Sequence, residues 1–289
     1  MQYYHLKSKT LGMLAIGIGS LFSTAVYSHA TLLPPTVDLT TEGAKGSING
    51  ALFYQAEAHP AGSGYGAINA FLKIQSNDPV ESGYNTDHRY YKKANGAPFT
   101  ELDQITDHHT RALRLSEVPT ISIAGTTYRE FLLDFNEPVA GSLEKYLLSL
   151  DSLQIFLGDG PDLHDYAEAY DSSHVVYNDT SYNWKEHATM IYDMDYGGDH
   201  WVGMDYRLNL GGSGWADAYV LIPETLFNLS SNDYVYLYSK FGENWANDNN
   251  FEEWGVGTGA PVPEPATMLL FGTGLTGLWT FLRRRHDTA

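Results

Sequence analysis

The 289-residue chain has no cysteine. That absence excludes disulfides, thiol catalysis, cysteine-ligated zinc and iron–sulfur clusters. Basic residues are scarce in the middle of the chain. Of the 17 Lys and Arg, five sit in the two ends, and of the 35 acids only Glu264 and Asp287 do. The stretch Thr31 to Pro261 is therefore left with twelve basic and thirty-three acidic residues, a charge near −21. Such a surface repels nucleic acid and anionic lipid, and leaves divalent cations, basic proteins and neutral glycans as partners. Long helical periodicity is scarce. Catalytic signatures are missing too. The eleven histidines form no His-Glu-x-x-His. Neither Ser63 nor Ser213 sits in Gly-x-Ser-x-Gly, and Gly62 to Gly66 opens no predicted helix that could cradle a phosphate.

What the chain does have begins at its ends. Lys7 and Lys9 precede an apolar stretch from Leu11 to Phe22, and Ser28-His29-Ala30 is a small-x-small site. This predicts a signal peptide over 1–30, export across the inner membrane, and a mature start near Thr31. At the other end Val262-Pro263-Glu264-Pro265 closes a Gly/Pro linker over 255–265. Its prolines fix φ and hold the chain extended. An uncharged apolar run over 266–282 follows, at the short limit for a bilayer-spanning helix. Arg283, Arg284 and Arg285 open the tail 283–289 and mark the cytoplasmic end of that helix.

This proline–apolar–arginine tail resembles the PEP-CTERM sorting signal of bacterial envelope and exopolysaccharide-associated proteins. The resemblance implies a partner, an exosortase-type sorting protease acting at Pro263-Glu264-Pro265. It also implies transient anchoring in the inner membrane by the C-terminal helix, then release to the cell envelope or extracellular matrix. The body is similar to a group of PEP-CTERM proteins of unknown function. The stretches that carry this are Gly83 to Asp87, Tyr128 to Asp134, Leu150 to Phe156 and Tyr234 to Gly242. It brings no activity with it.

Residues 31–254 read as one all-β domain, an antiparallel β-sandwich with a jelly-roll as one possible form. Period-2 alternation over 68–75, 130–135, 202–209 and 234–241 predicts half-buried strands. Further strands are predicted over 48–57, 112–124, 146–157, 174–178, 187–194, 215–222 and 251–256. In 146–157 the apolar parity changes between Leu150 and Leu153, which predicts a bulge at Asp151-Ser152. The stretches 78–111 and 158–186 read as long loops, where a binding surface would sit.

Two constellations stand out. Asp193 and Asp195 share a strand face, Gly197-Gly198 is read as a reversal carrying Asp199, and Asp205 is read as returning on the next strand. Carboxylates converging at a turn suit Ca²⁺, the one cofactor expected; the alternative is a solvated acidic hairpin. The loop 242–254 holds Trp245, Asn247, Asp248 and Trp254. Aromatic faces beside amide and carboxyl groups suit a glycan, with Trp254 equally suited to a core position. Asp107-His108-His109 offers metal-ligand types, but neighbouring side chains on a strand point to opposite faces and would not share one ion. The expected function is a non-catalytic exported protein of the envelope or matrix, associated with exopolysaccharide. A Ca²⁺-assisted carbohydrate-binding module is the first alternative. A glycoside hydrolase or lyase using paired strand-borne acids is the second.

Overall fold

A computed structural model describes residues 34–58, 67–88, 91–92, 98–137, 143–166, 184–208, 214–228, 232–247 and 250–257. All belong to the second of two units, Met1–Leu33 and Pro34–Ala289. The signal-peptide segment, the candidate strand 174–178 and the tail from residue 258 onward lie outside the described residues. Among the described residues no helix is long and apolar enough to cross a membrane.

Sixteen strands are described. The first eight are β1 (Val37–Leu39), β2 (Lys45–Ile48), β3 (Ala51–Gln55), β4 (Ile68–Ile74), β5 (Glu81–Tyr84), β6 (Tyr91–Lys92), β7 (Pro98–Phe99) and β8 (Leu113–Arg114). The rest are β9 (Thr120–Ile123), β10 (Thr126–Phe135), β11 (Leu147–Gly158), β12 (Ala188–Asp193), β13 (Val202–Asp205), β14 (Ala218–Pro223), β15 (Tyr234–Phe241) and β16 (Glu252–Gly257). A single helical turn, α1 (Trp184–His187), precedes β12. The last strand runs three residues past Trp254, into the stretch read from sequence as linker.

Two sheets face each other. One has the order β1-β13-β11-β15-β5, with β12 also on β11 and β8 on β15. The other has the order β2-β3-β14-β10-β16-β4, with β9 on β10. β6 and β7 form a separate ribbon. The pairing is antiparallel except for β1, which lies parallel to β13. That pair departs from the all-antiparallel expectation, and it lets the incoming chain cover the edge of β13. The β2–β3 hairpin turns on Asn49-Gly50, both at positive φ, the requirement of a two-residue turn matched to strand twist.

One apolar core fills the space between the sheets. Phe131, Leu133 and Phe135 of β10 and Phe71 of β4 meet Leu153 and Ile155 of β11, Val235 and Leu237 of β15, and Trp254 of β16. The outer faces are covered as well. Trp184 of α1 packs with Tyr84, Phe156, Tyr166 and Tyr236 on the first sheet. Its ring stands edge-on to Tyr236 at 4.9 Å. The described parts of 158–186 are therefore a lid over a sheet rather than a free loop. The register of β11 against β15 shifts between Leu150 and Ser152, so Asp151 is the inserted residue.

Candidate functional site

The acidic stretch after β12 is not a hairpin. β12 pairs with β11 from Gly158 down to Gln154, and β13 pairs with β11 from Leu150 down to Leu147. Both run the same way along one edge of β11, and 194–201 loops outward between them. Asp193 lies opposite Gln154 and Asp205 opposite Leu147. Seven positions at about 3.3 Å each put them roughly 20 Å apart. Asp205 is also committed elsewhere: its carboxylate accepts from the Arg207 guanidinium and from the Arg207 backbone N–H at 3.0 Å. It is no partner for Asp193, Asp195 and Asp199.

The three remaining acids organise their own loop. Asp193 Oδ1 accepts the Asp195 N–H at 3.0 Å, and Asp195 Oδ1 accepts the His200 N–H at 3.0 Å. Burial raises the Asp195 pKa; bonds from His200 and Ser152 oppose this, and Asp193 and Asp199 add to it. The Asn49 amide reaches the carbonyl oxygens of Asp193, Met194 and Tyr196 at 3.1, 2.9 and 3.0 Å. Carbonyls that could have served an ion already face Asn49. Beside them lies an open groove of about 260 Å³ lined by Asn49, Ile191, Tyr192, Asp193, Tyr196 and Leu226. Tyr196 is 76% exposed, so its ring is a ready apolar platform.

The 242–254 loop faces inward. Trp254 is fully buried in the core, and its indole N–H donates to Ser239 Oγ at 2.9 Å. Asn247 is buried, and its N–H donates to Pro79 O at 3.0 Å. Neither can meet a sugar, so that expectation is corrected for both. Asp248 lies outside the described residues. Trp245 is half-buried, edge-on to Trp201 at 4.9 Å, and closes over Gly203, where a Cβ would overlap its ring. Asp151, the bulge residue, holds the loop: it accepts from Ser149 Oγ, the Glu243 N–H, and the Asn244 N–H and side-chain amide.

Asp107, His108 and His109 lie in a turn, so the strand argument against them fails. Each offers a ligand atom within 4.8 Å of the others, the only such triple among the described residues. The His109 ring nitrogen is 3.1 Å from Asp107 Oδ2, and the two imidazoles lie 3.8 Å apart. Burial works against the Asp107 charge, yet the bonds and charges of His109 and His108 outweigh it and hold its pKa low.

The feature sequence reasoning passed over is a set of carboxyl groups inside the protein. Glu81 is 1% exposed and Glu252 is 0% exposed. Burial pushes the Glu81 carboxyl up to about 8, against hydrogen bonds from Ser76 and Asn247, while Asp103 adds to the rise. Neither oxygen of Glu252 has a hydrogen-bond partner among the described residues. Strand parity held a signal: Glu252 alternates in phase with Trp254 and Val256, both core residues.

Residues 261–285 match the PEP-CTERM protein-sorting motif. No curated protein and no solved structure matches the chain. The motif marks exosortase-dependent sorting: export, transient membrane anchoring and delivery to the cell envelope.

Proposed function

We propose that the chain is a non-catalytic protein of the envelope or extracellular matrix whose β-sandwich associates with exopolysaccharide. The observation that carries this reading is the sorting motif at 261–285, which begins four residues after the last strand ends at Gly257. A signal peptide over 1–30 and a spanning helix over 266–282, closed by Arg283, Arg284 and Arg285, complete the route. The glycan surface in this reading is the open groove beside Tyr196. An exposed ring with the Asp193 carboxylate beside it offers a stacking face and a hydroxyl acceptor.

Co-sedimentation with exopolysaccharide from the producing cells tests the reading. The parent protein is expected to co-sediment, and Tyr196→Ala to lose most of the binding with an unchanged melting curve. Equal co-sedimentation of both proteins, or none by either, would overturn the assignment of the groove. Release of reducing ends from the polysaccharide would overturn the non-catalytic reading.

A further inference from the structure

Three segments converge at one end of the core. β16 places Glu252 directly opposite Ile74 of β4. Glu252 points between the sheets, because it is in phase with Trp254 and Val256. The inner face of β5 lies over the same spot: a Cβ on Gly83 would meet the Ile74 side chain at 2.9 Å. Glu81, two residues from Gly83, shares that face. Its Oε2 accepts the Ser76 N–H at 2.7 Å, just beyond Ile74. The Asn247 side chain lies beside Glu81 and favours its charged form, and its backbone is tied to Pro79. Two carboxyl groups and an amide, from β5, β16 and the loop before it, are therefore gathered around Ile74 where the sheets close.

The rest of the fold shows how it treats a structural carboxylate. Asp151 has four donors. Glu253, next in the chain, has Lys73 at 3.1 Å. Asp134 has the Gly214 N–H at 2.5 Å and the Asn136 amide at 3.3 Å. Glu252 differs, being fully buried with both oxygens lacking a partner among the described residues. Isolating a carboxylate in an apolar interior costs several kcal/mol unless it is paired, metal-bound or protonated. The surrounding ligand types are all oxygen or amide, with no cysteine in the chain. Hard oxygen ligands in irregular geometry suit Ca²⁺, and two carboxylates balance its charge.

We propose that Glu81 and Glu252, supported by Asn247, hold a calcium-class divalent cation that pins the two sheets together. The site is separate from the 193–199 loop, and it does not depend on the glycan reading of the Tyr196 groove.

The test uses the full chain in detergent, stripped with a chelator and titrated with CaCl₂ by calorimetry. Terbium luminescence provides a second readout, since Trp254 lies two positions from Glu252 on the same strand face, about 7 Å away. The parent is expected to bind one equivalent. Glu252→Gln and Glu81→Gln should each weaken that binding about 100-fold or more, since ligand charge sets Ca²⁺ affinity over several decades. Asp193→Asn with Asp195→Asn should leave it intact. Should Glu252→Gln fail to fold, Glu81→Gln carries the same measurement. Binding that survives both glutamine variants would overturn the site. So would a parent that takes up no calcium at millimolar concentration, which would mean the carboxyl groups are simply protonated.

Discussion

Asn85 gives the sharpest structural prediction. β5 pairs with Tyr238–Phe241 of β15 and β8 with Tyr234 and Val235, which leaves a gap on the same edge. Asn85 fills it with its side chain. The amide N–H donates to Val235 O at 2.9 Å, and Oδ1 accepts the Leu237 N–H at 2.7 Å. One side chain thus imitates a missing peptide. Asn85→Ala removes both bonds in a place sealed from water, since Asn85 is 0% exposed. An unsatisfied buried backbone group costs about 1–3 kcal/mol, so the pair should cost about 2–5 kcal/mol. For a domain of this size each kcal/mol moves the melting midpoint by about 2–4 °C, which gives a drop of roughly 5–15 °C. Thermal melting followed by circular dichroism measures it, and amide exchange at Leu237 should quicken in parallel. Asn85→Asp keeps the acceptor but loses the donor and buries a charge, so it should melt no higher than the alanine variant. An alanine variant melting within about 1 °C of the parent would refute the splint.

Two further predictions follow from the buried aromatic and acidic groups. Trp254→Ala should destabilise the domain by about 3–5 kcal/mol in chemical denaturation, as expected of a core aromatic, while exopolysaccharide binding by the folded fraction stays unchanged. In the chelated protein, stability should fall as pH rises between about 4.5 and 8, because folding raises the Glu81 carboxyl from 4.5 to about 8 and the native state then holds the extra proton. Asp134, raised from 3.8 to about 6 chiefly by burial, adds to the lower part of that window. Glu81→Gln should flatten the upper part, which urea melts at a series of pH values would show.

Much of the architecture is written locally. Alternation located β4, β15 and the second half of β10, but over 202–209 it ran past the end of β13 at Asp205; the further strand candidates fell on β11, β14 and β16, and the parity change in β11 pointed to the Asp151 bulge. The sites were harder, for reasons of direction and partner. Gly197-Gly198 is chemically a good reversal, but the line of acceptors on β11 continues past it. The Met194 N–H pairs with Leu153 O, and Asn49, far off in sequence, holds the loop. Polar residues such as Asn85 and Thr86 read as loop surface, yet they are buried because their side chains complete backbone hydrogen bonding. Trp254 was ambiguous because an aromatic on a strand serves core and sugar equally well until the facing sheet is known. Glu252 was legible only as a charge in an apolar register, and its meaning depends on β5 from the other sheet.

The account turns on sorting through the tail, and one localisation experiment tests it most directly. Cells producing the parent chain and a variant with Arg283, Arg284 and Arg285 all replaced by glutamine are fractionated, and the C-terminus in each fraction is read by mass spectrometry. The parent is expected in the outer envelope or matrix, cut in the Pro263-Glu264-Pro265 region. The variant has lost the positive charges that hold a short span with its end inside, and should remain uncut and fail to reach that fraction. A variant cut and delivered like the parent would contradict the account.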